Sequence, residues 1–158
     1  MFMAKYIAGS KGDLAIVDDE DYPKLKMYNW STTHYGHLCR GKRIGKKTIN
    51  ILLHRYILGN IPDDLEVDHI NGNPLDNRKE NLRLCTHQQN MCNKSRHKNC
   101  RSGYKGVTWD SWAKKWRATI TFMGIIHKKH FKSDEDAARW YNKMAKKYHK
   151  EFARLNEI

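Results

Sequence analysis

The chain of 158 residues and 18.7 kDa has room for one ordinary domain or two small ones. Its 30 Lys+Arg against 17 Asp+Glu leave a formal net charge of +13, which points to a polyanionic partner, nucleic acid or an anionic membrane surface. No apolar run comes near the ~18 residues of a membrane span, and 39% hydrophobic with 11% aromatic residues exclude a disordered basic tail.

In chain order, Met1-Phe2-Met3-Ala4-Lys5 lacks the charged-then-apolar pattern of a secretory signal. Reduced thiols are therefore expected for Cys39, Cys85, Cys92 and Cys100. Residues 1 to 50 read as short strands and turns. Lys11-Gly12-Asp13 is a turn before the apolar run Leu14–Val17. Tyr35–Arg40 and Thr48–Leu52 read as two strands of a hairpin around a Gly- and Lys-rich turn at 41–47. Leu52–Leu58 predicts a short helix, stopped by Gly59 and Pro62. Leu65–Asp68 and Asn81–Cys85 are short extended runs on either side of the turn signal Asn71-Gly72-Asn73-Pro74. Thr86 has the place of a helix N-cap, with Gln89 as its capping-box partner.

Residues 93–101 are polar and basic and read as a linker. Across residues 91–130 there are ten Lys/Arg and one acidic residue, Asp110, a balance suited to a phosphate backbone. Tyr104–Trp109, Trp116–Phe122 and Ile125–Phe131 alternate as three strands, with turns near Ser111–Lys114 and at Met123-Gly124. Ser133 caps a helix whose first turn carries Asp134, Glu135 and Asp136. Ala137, Tyr141, Met144, Ala145 and Tyr148 share one face of that helix, read as core. The expected fold class is α+β: a small-strand N-terminal region, then a three-stranded antiparallel sheet packed on one C-terminal helix; a ββα-metal core in the first part is what the family resemblance given next implies.

The middle block carries the chemistry. Metal-assisted phosphodiester hydrolysis needs oxygen ligands for a hard divalent cation and a neutral His that takes a proton from water. Adjacent strand residues point to opposite faces, so Asp68 and His69 share a site only if the strand ends or bends there, as the following Asn-Gly-Asn-Pro turn allows. The stretch Leu53-His54-Arg55, Val67–Asn73, Asp76-Asn77, Glu80–Arg83 and Thr86–Asn90 resembles the HNH (ββα-metal) endonuclease family, most of all its phage homing-endonuclease branch. The resemblance implies His69 as general base, Asp68 and Asn90 as ligands of one divalent metal, Mg2+ or Mn2+, and Asn81 as the residue that structures the loop and orients the base. It matches His54 to the His of the Leu-His-Arg segment, either a catalytic group or a buried packing histidine. Arg55 and Arg83 touch phosphate or pair with local carboxylates. Asn71, Asn73 and Asn77 are expected to form the loop rather than bind metal. The zinc-carrying relatives use Cys-x-x-Cys pairs, which this chain lacks, so structural zinc is not expected. A zinc site from Cys85, His87, Cys92, His97 and Cys100 stays open as the one alternative use of those residues.

Ser102–Val107, Lys115-Trp116-Arg117-Ala118, His130-Phe131, Ala137-Ala138 and Phe152–Asn156 resemble the APETALA/ethylene-response-factor DNA-binding domain. That resemblance implies a three-stranded sheet laid in the major groove. Carried over, Lys105, Thr108, Asp110, Trp112, Thr119, Thr121 and His127 fall where that family touches DNA. Lys114, Lys115, Arg117, Lys128 and Lys129 are the phosphate candidates. Trp116 is expected in the core. Together the two resemblances imply an HNH nuclease domain at 1–92 (core 52–92), a basic linker at 93–101 and a DNA-binding domain at 102–158. The implied function is a homing-type DNA endonuclease, a phage mobile-element enzyme of the cytoplasm of a bacterial or phage-infected host. It would act on double-stranded DNA as a monomer or homodimer, with no membrane partner. The rival readings are a DNA-binding regulator with a degenerate nuclease domain and an RNA-directed protein. The A-form major groove, too narrow for a sheet, argues against the second.

Overall fold

Alternation in Leu14–Val17 makes the second strand of an N-terminal hairpin: β1 (Lys5–Ala8) pairs antiparallel with β2 (Leu14–Val17), burying Ile7, Ala15 and Val17 on one side. These elements come from a computed structural model, which describes residues 4–96 and 101–158. α1 (Tyr22–Leu25) is one turn with proline at its start, where the missing N–H costs nothing. The Trp30 indole N–H donates to the Leu25 carbonyl (3.0 Å) and fixes the chain after it. β3 (Ser31–Thr32), β4 (Leu38–Ile44) and β5 (Lys47–Leu52) form an antiparallel sheet in the order β3-β4-β5. The strand expected from Tyr35 begins only at Leu38. Thr33–His37 is a turn, in which the Thr33 N–H donates to the His37 carbonyl (2.8 Å) and Gly36 takes φ +80°. The 41–47 turn is also shorter than expected, because pairing continues out to Ile44↔Lys47.

α2 (Leu53–Leu58) stops at Gly59, φ +78°, as its sequence predicts. β6 (Glu66–His69) and β7 (Leu82–Cys85) pair antiparallel, and α3 (His87–Asn93) starts just after Thr86. One apolar core joins Ile7, Ala15, Val17, Leu25, Trp30 and Leu38 to Leu53, Ile57, Val67 and Leu82. Residues from Ile7 to Leu38 therefore complete the core on which the β6–β7 hairpin rests.

The protein divides into two compact units, Met1–His87 and Gln88–Ile158. In the second, β8 (Val107–Asp110), β9 (Lys115–Phe122) and β10 (Ile125–Phe131) form an antiparallel sheet in the order β8-β9-β10. The β9–β10 reversal uses Met123 (φ +50°) and Gly124 (φ +78°), the two positive φ values of a tight hairpin turn. α4 (Asp134–His149) begins at Ser133, whose hydroxyl accepts from the Asp136 N–H (3.1 Å). Its Ala137, Ala138, Tyr141 and Ala145 pack on Val107, Ala118 and Ile120 of the sheet. The small alanines let helix and sheet approach closely. The C-terminal tail is tied back by Asn156, which bonds the backbone of Lys105 through its side chain and exchanges two bonds with Asn142. Among the described residues no helix is long and apolar enough to cross a membrane.

Candidate active site and nucleic-acid face

The loop between β6 and β7 is built by asparagines, whose short amides can close turns that other side chains cannot. The Asn71 Oδ1 accepts from the Asn73 N–H (2.8 Å), and the Asn73 Oδ1 accepts from the Leu75 N–H (3.0 Å). Asn81, buried at the foot of the loop, accepts from the Asn71 N–H (3.0 Å) and donates through Nδ2 to the Asp76 carbonyl (2.8 Å). Asp76 receives both Arg78 Nε and Nη2 at 2.9 and 2.8 Å, which holds its carboxyl below the ordinary range. The loop is also clasped from β2. The Ile16 N–H donates to the Leu75 carbonyl (2.7 Å), and the Asn77 N–H donates to the Ile16 carbonyl (2.8 Å).

β6 ends at His69, which puts the imidazole at the mouth of this loop. The ring is buried, and its Nε2 meets the Asn77 Oδ1 at 3.4 Å. Burial lowers its pKa from the ordinary value, against the Asn77 contact and the charges of Asp68 and Asp76. Neutral imidazole is thus the form favoured at pH 7. Asp68 pairs across the hairpin with Arg83, as strand alternation requires, and Arg83 Nε and Nη2 donate to its Oδ2 at 2.8 and 2.6 Å. Arg83 therefore pairs with a local carboxylate. Arg55 has a local partner too, donating to the Leu65 carbonyl (3.0 Å).

His54, in the first turn of α2, is buried with its ring centroid 5.1 Å from that of His69. Burial drives its pKa down to about 3. A third imidazole, His37, lies 5.2 and 5.5 Å from His54 and His69, centroid to centroid, and burial lowers its pKa as well. Sequence reasoning missed His37; its only signal was a histidine in an otherwise exposed turn. Asn90 lies on α3, in the second unit. Cys85 is buried, with its thiol pushed up to about 11 by burial and bonded to the Glu66 carbonyl (3.7 Å). His87 meets the Glu66 carboxylate (2.8 Å), and the Cys92 thiol meets the Gln88 carbonyl (3.2 Å). His97 and Cys100, the other members of the possible zinc set, lie outside the described residues.

In the second unit the register sorts the DNA-contact candidates. Directly opposed residues share a face. The pairs Thr108↔Arg117, Asp110↔Lys115, Thr119↔Lys128, Arg117↔His130 and Thr121↔Ile126 lie on the face away from α4. Asp110 organises that face, accepting from Arg117 Nη1 (3.3 Å), His130 Nε2 (2.9 Å) and the Ala113 N–H (3.1 Å). Trp112, 95% exposed, and Lys114 stand in the β8–β9 turn. His127 and Lys129 pair with Ile120 and Ala118 and so lie on the other face, where His127 stacks on Tyr148 at 4.8 Å. Lys105 is turned inward, its ammonium donating to the Cys92 carbonyl (2.6 Å), and burial lowers its pKa to about 8. Trp116 packs against the helix, as expected.

Comparison with known proteins matches residues 51–92 to the family model described as HNH endonuclease. An uncharacterized HNH endonuclease of Acanthamoeba polyphaga mimivirus is 35% identical over 150 residues, covering 94% of this chain and 77% of the relative. Protein 3.8 of Escherichia phage T7 is 34% identical over 97 residues, 61% of this chain and 80% of the relative. No solved structure matches. The motif at the β6–β7 hairpin, the family match that covers it and a relative alignable over nearly the whole chain agree: this protein belongs to the HNH endonuclease family.

Proposed function

We propose that the protein is a divalent-metal-dependent DNA endonuclease in which His69 is the general base. The observation that carries this is the buried His69 ring, kept neutral and held by Asn77 at the end of the strand that also presents Asp68. His69 takes a proton from water as the water oxygen forms its bond to phosphorus. The bond to the 3′ oxygen breaks, leaving 5′-phosphate and 3′-hydroxyl ends. Asn81 and Asn71 keep the loop in the shape that aims Asn77 at the base. A carboxylate suits a hard cation, so Asp68 is the proposed metal ligand, with Arg83 beside it to limit its motion. The resemblance adds Asn90 as a second oxygen donor. When bound, Mg2+ or Mn2+ supplies Lewis-acid stabilisation of the charge growing on the phosphate.

The second unit would hold the duplex through the sheet face away from α4, as in the APETALA/ethylene-response-factor domains it resembles. Thr108, Lys115, Arg117, Thr119 and Thr121 lie on that face, joined by Lys128 and His130 and flanked by Trp112 and Lys114. One base per chain makes a monomer a nicking enzyme, and double-strand cleavage takes a homodimer or two events. A homing-type role in a phage-infected cell fits this reading.

The test is nicking of supercoiled plasmid in Mg2+. Wild type is expected to nick, and EDTA or His69→Ala to reduce the rate by on the order of 10²–10⁴. Equal cleavage by wild type and His69→Ala would overturn the assignment. Duplex binding without cleavage, across varied DNA and metals, would favour the regulator reading.

A further inference from the structure

His37, His54 and His69 bring ring nitrogens within 4.8 Å of one another, from three separate elements of one core. The approach to β4, the first turn of α2 and the end of β6 supply one imidazole each. Bound zinc holds its nitrogens at about 2.0–2.1 Å, so three ligand atoms sit roughly 3.3 Å apart. Binding would draw the present spacing in to that value. The Nδ1 atoms of His37 and His54 are buried without a hydrogen-bond partner, and a buried imidazole nitrogen left unsatisfied calls for something to bind. On His69 the other requirement of a ligating histidine is already met, because the Asn77 Oδ1 lies beside its Nε2 and can orient the ring.

We propose that His37, His54 and His69 form a binding site for one borderline transition-metal ion of the Zn2+, Co2+ or Ni2+ class, and that filling it takes His69 out of service as a base. The inhibitory half of this rests on the nuclease reading above; the metal site does not. Three imidazoles suit such ions and offer nothing to Mg2+ or Ca2+, which take oxygen. The activating cation and this one therefore use different donors. The outcome would be a nuclease that Mg2+ switches on and Zn2+ switches off.

The test is titration of the metal-free full-length chain with Co2+, followed by visible absorption. One Co2+ per chain is expected, with a d–d band and without the near-ultraviolet sulfur charge transfer that cysteine ligation would give. His37→Phe and His37→Gln, checked by circular dichroism to be folded, should bind roughly 100-fold more weakly or worse. Wild type without a band, or a band kept in a folded His37 variant, would overturn the site and leave the nuclease reading intact. In the cleavage assay Zn2+ should inhibit with the midpoint of its binding, unrelieved by a tenfold excess of Mg2+. Full cleavage with the site saturated would overturn the inhibitory half, and with it His69 as the base.

Discussion

Gly103 and Gly106 offer a matched experiment inside the second unit. Both have φ +74°, a left-handed conformation that costs an L-residue roughly 1–2 kcal/mol. A Cβ at Gly103 meets nothing within 4 Å. A Cβ at Gly106 would lie 2.3 and 2.4 Å from two ring carbons of Tyr141 and 2.9 Å from the Thr119 carbonyl oxygen. Tyr141 is a buried residue of α4 itself, and the Thr119 carbonyl belongs to the central strand, so neither can swing aside. Forcing a methyl into such a site adds about 1–3 kcal/mol. Gly103→Ala should therefore cost ~1–2 kcal/mol, and Gly106→Ala about 2–5 kcal/mol. The assay is urea unfolding followed through the tryptophans of the second unit, with hydrogen exchange of β9 amides as an independent readout. Equal midpoints for the two variants would refute the packing argument, because only the conformational cost is common to both.

Two further outcomes are expected. His54 has a pKa of about 3 in the folded chain against 6.5 unfolded, so the unfolded state binds more protons between those values. Its contribution to stability is complete above pH 6.5 and falls by about 1.4 kcal/mol per unit as pH drops below 6. Exchange of β6 and β7 amides in EDTA should show that contribution on top of those of His37 and His69, whose pKa values burial also lowers, and His54→Gln should lessen the slope; an unchanged slope would mean that His54 is not buried neutral. On the sheet face, the triple change Lys115→Gln, Arg117→Gln, Lys128→Gln should reduce the slope of log K against log salt by roughly 0.9 for each phosphate no longer neutralised. The pair His127→Gln, Lys129→Gln, on the helix side, should leave that slope unmoved. Measuring both by fluorescence anisotropy on one duplex decides which face meets DNA.

What was legible in the sequence was local chemistry. Ser133 with its three acidic followers marks α4, Gly59 marks the end of α2, and the Asn-rich loop announces itself by composition. The candidate site was legible where it lies in one stretch, from Asp68 to Asn81. His37 was not, because it reaches His54 and His69 only through the packing of β4 and α2 on the shared core. The placing of His127 and Lys129 turned on strand register, in which a step of one residue reverses every side chain. Their neighbours Lys128 and His130 were visible in the same run but could not be separated from them without the pairing to β9. β1, α1 and β3 are too short for periodicity to show.

The clasp of β2 on the β6–β7 loop changes what counts as the smallest transferable unit of this enzyme. The Ile16 backbone grips the chain on both sides of Asp76, one residue from the amide that steadies His69. The recognisable motif at 51–92 is thus only the visible part of a machine whose frame begins before residue 16. A recombination event that moved the motif alone would carry every group of the proposed reaction and leave behind the backbone clasp that holds their loop. On the proposed reaction, the N-terminal hairpin would have to travel with the motif, even though nothing in that hairpin touches a phosphate.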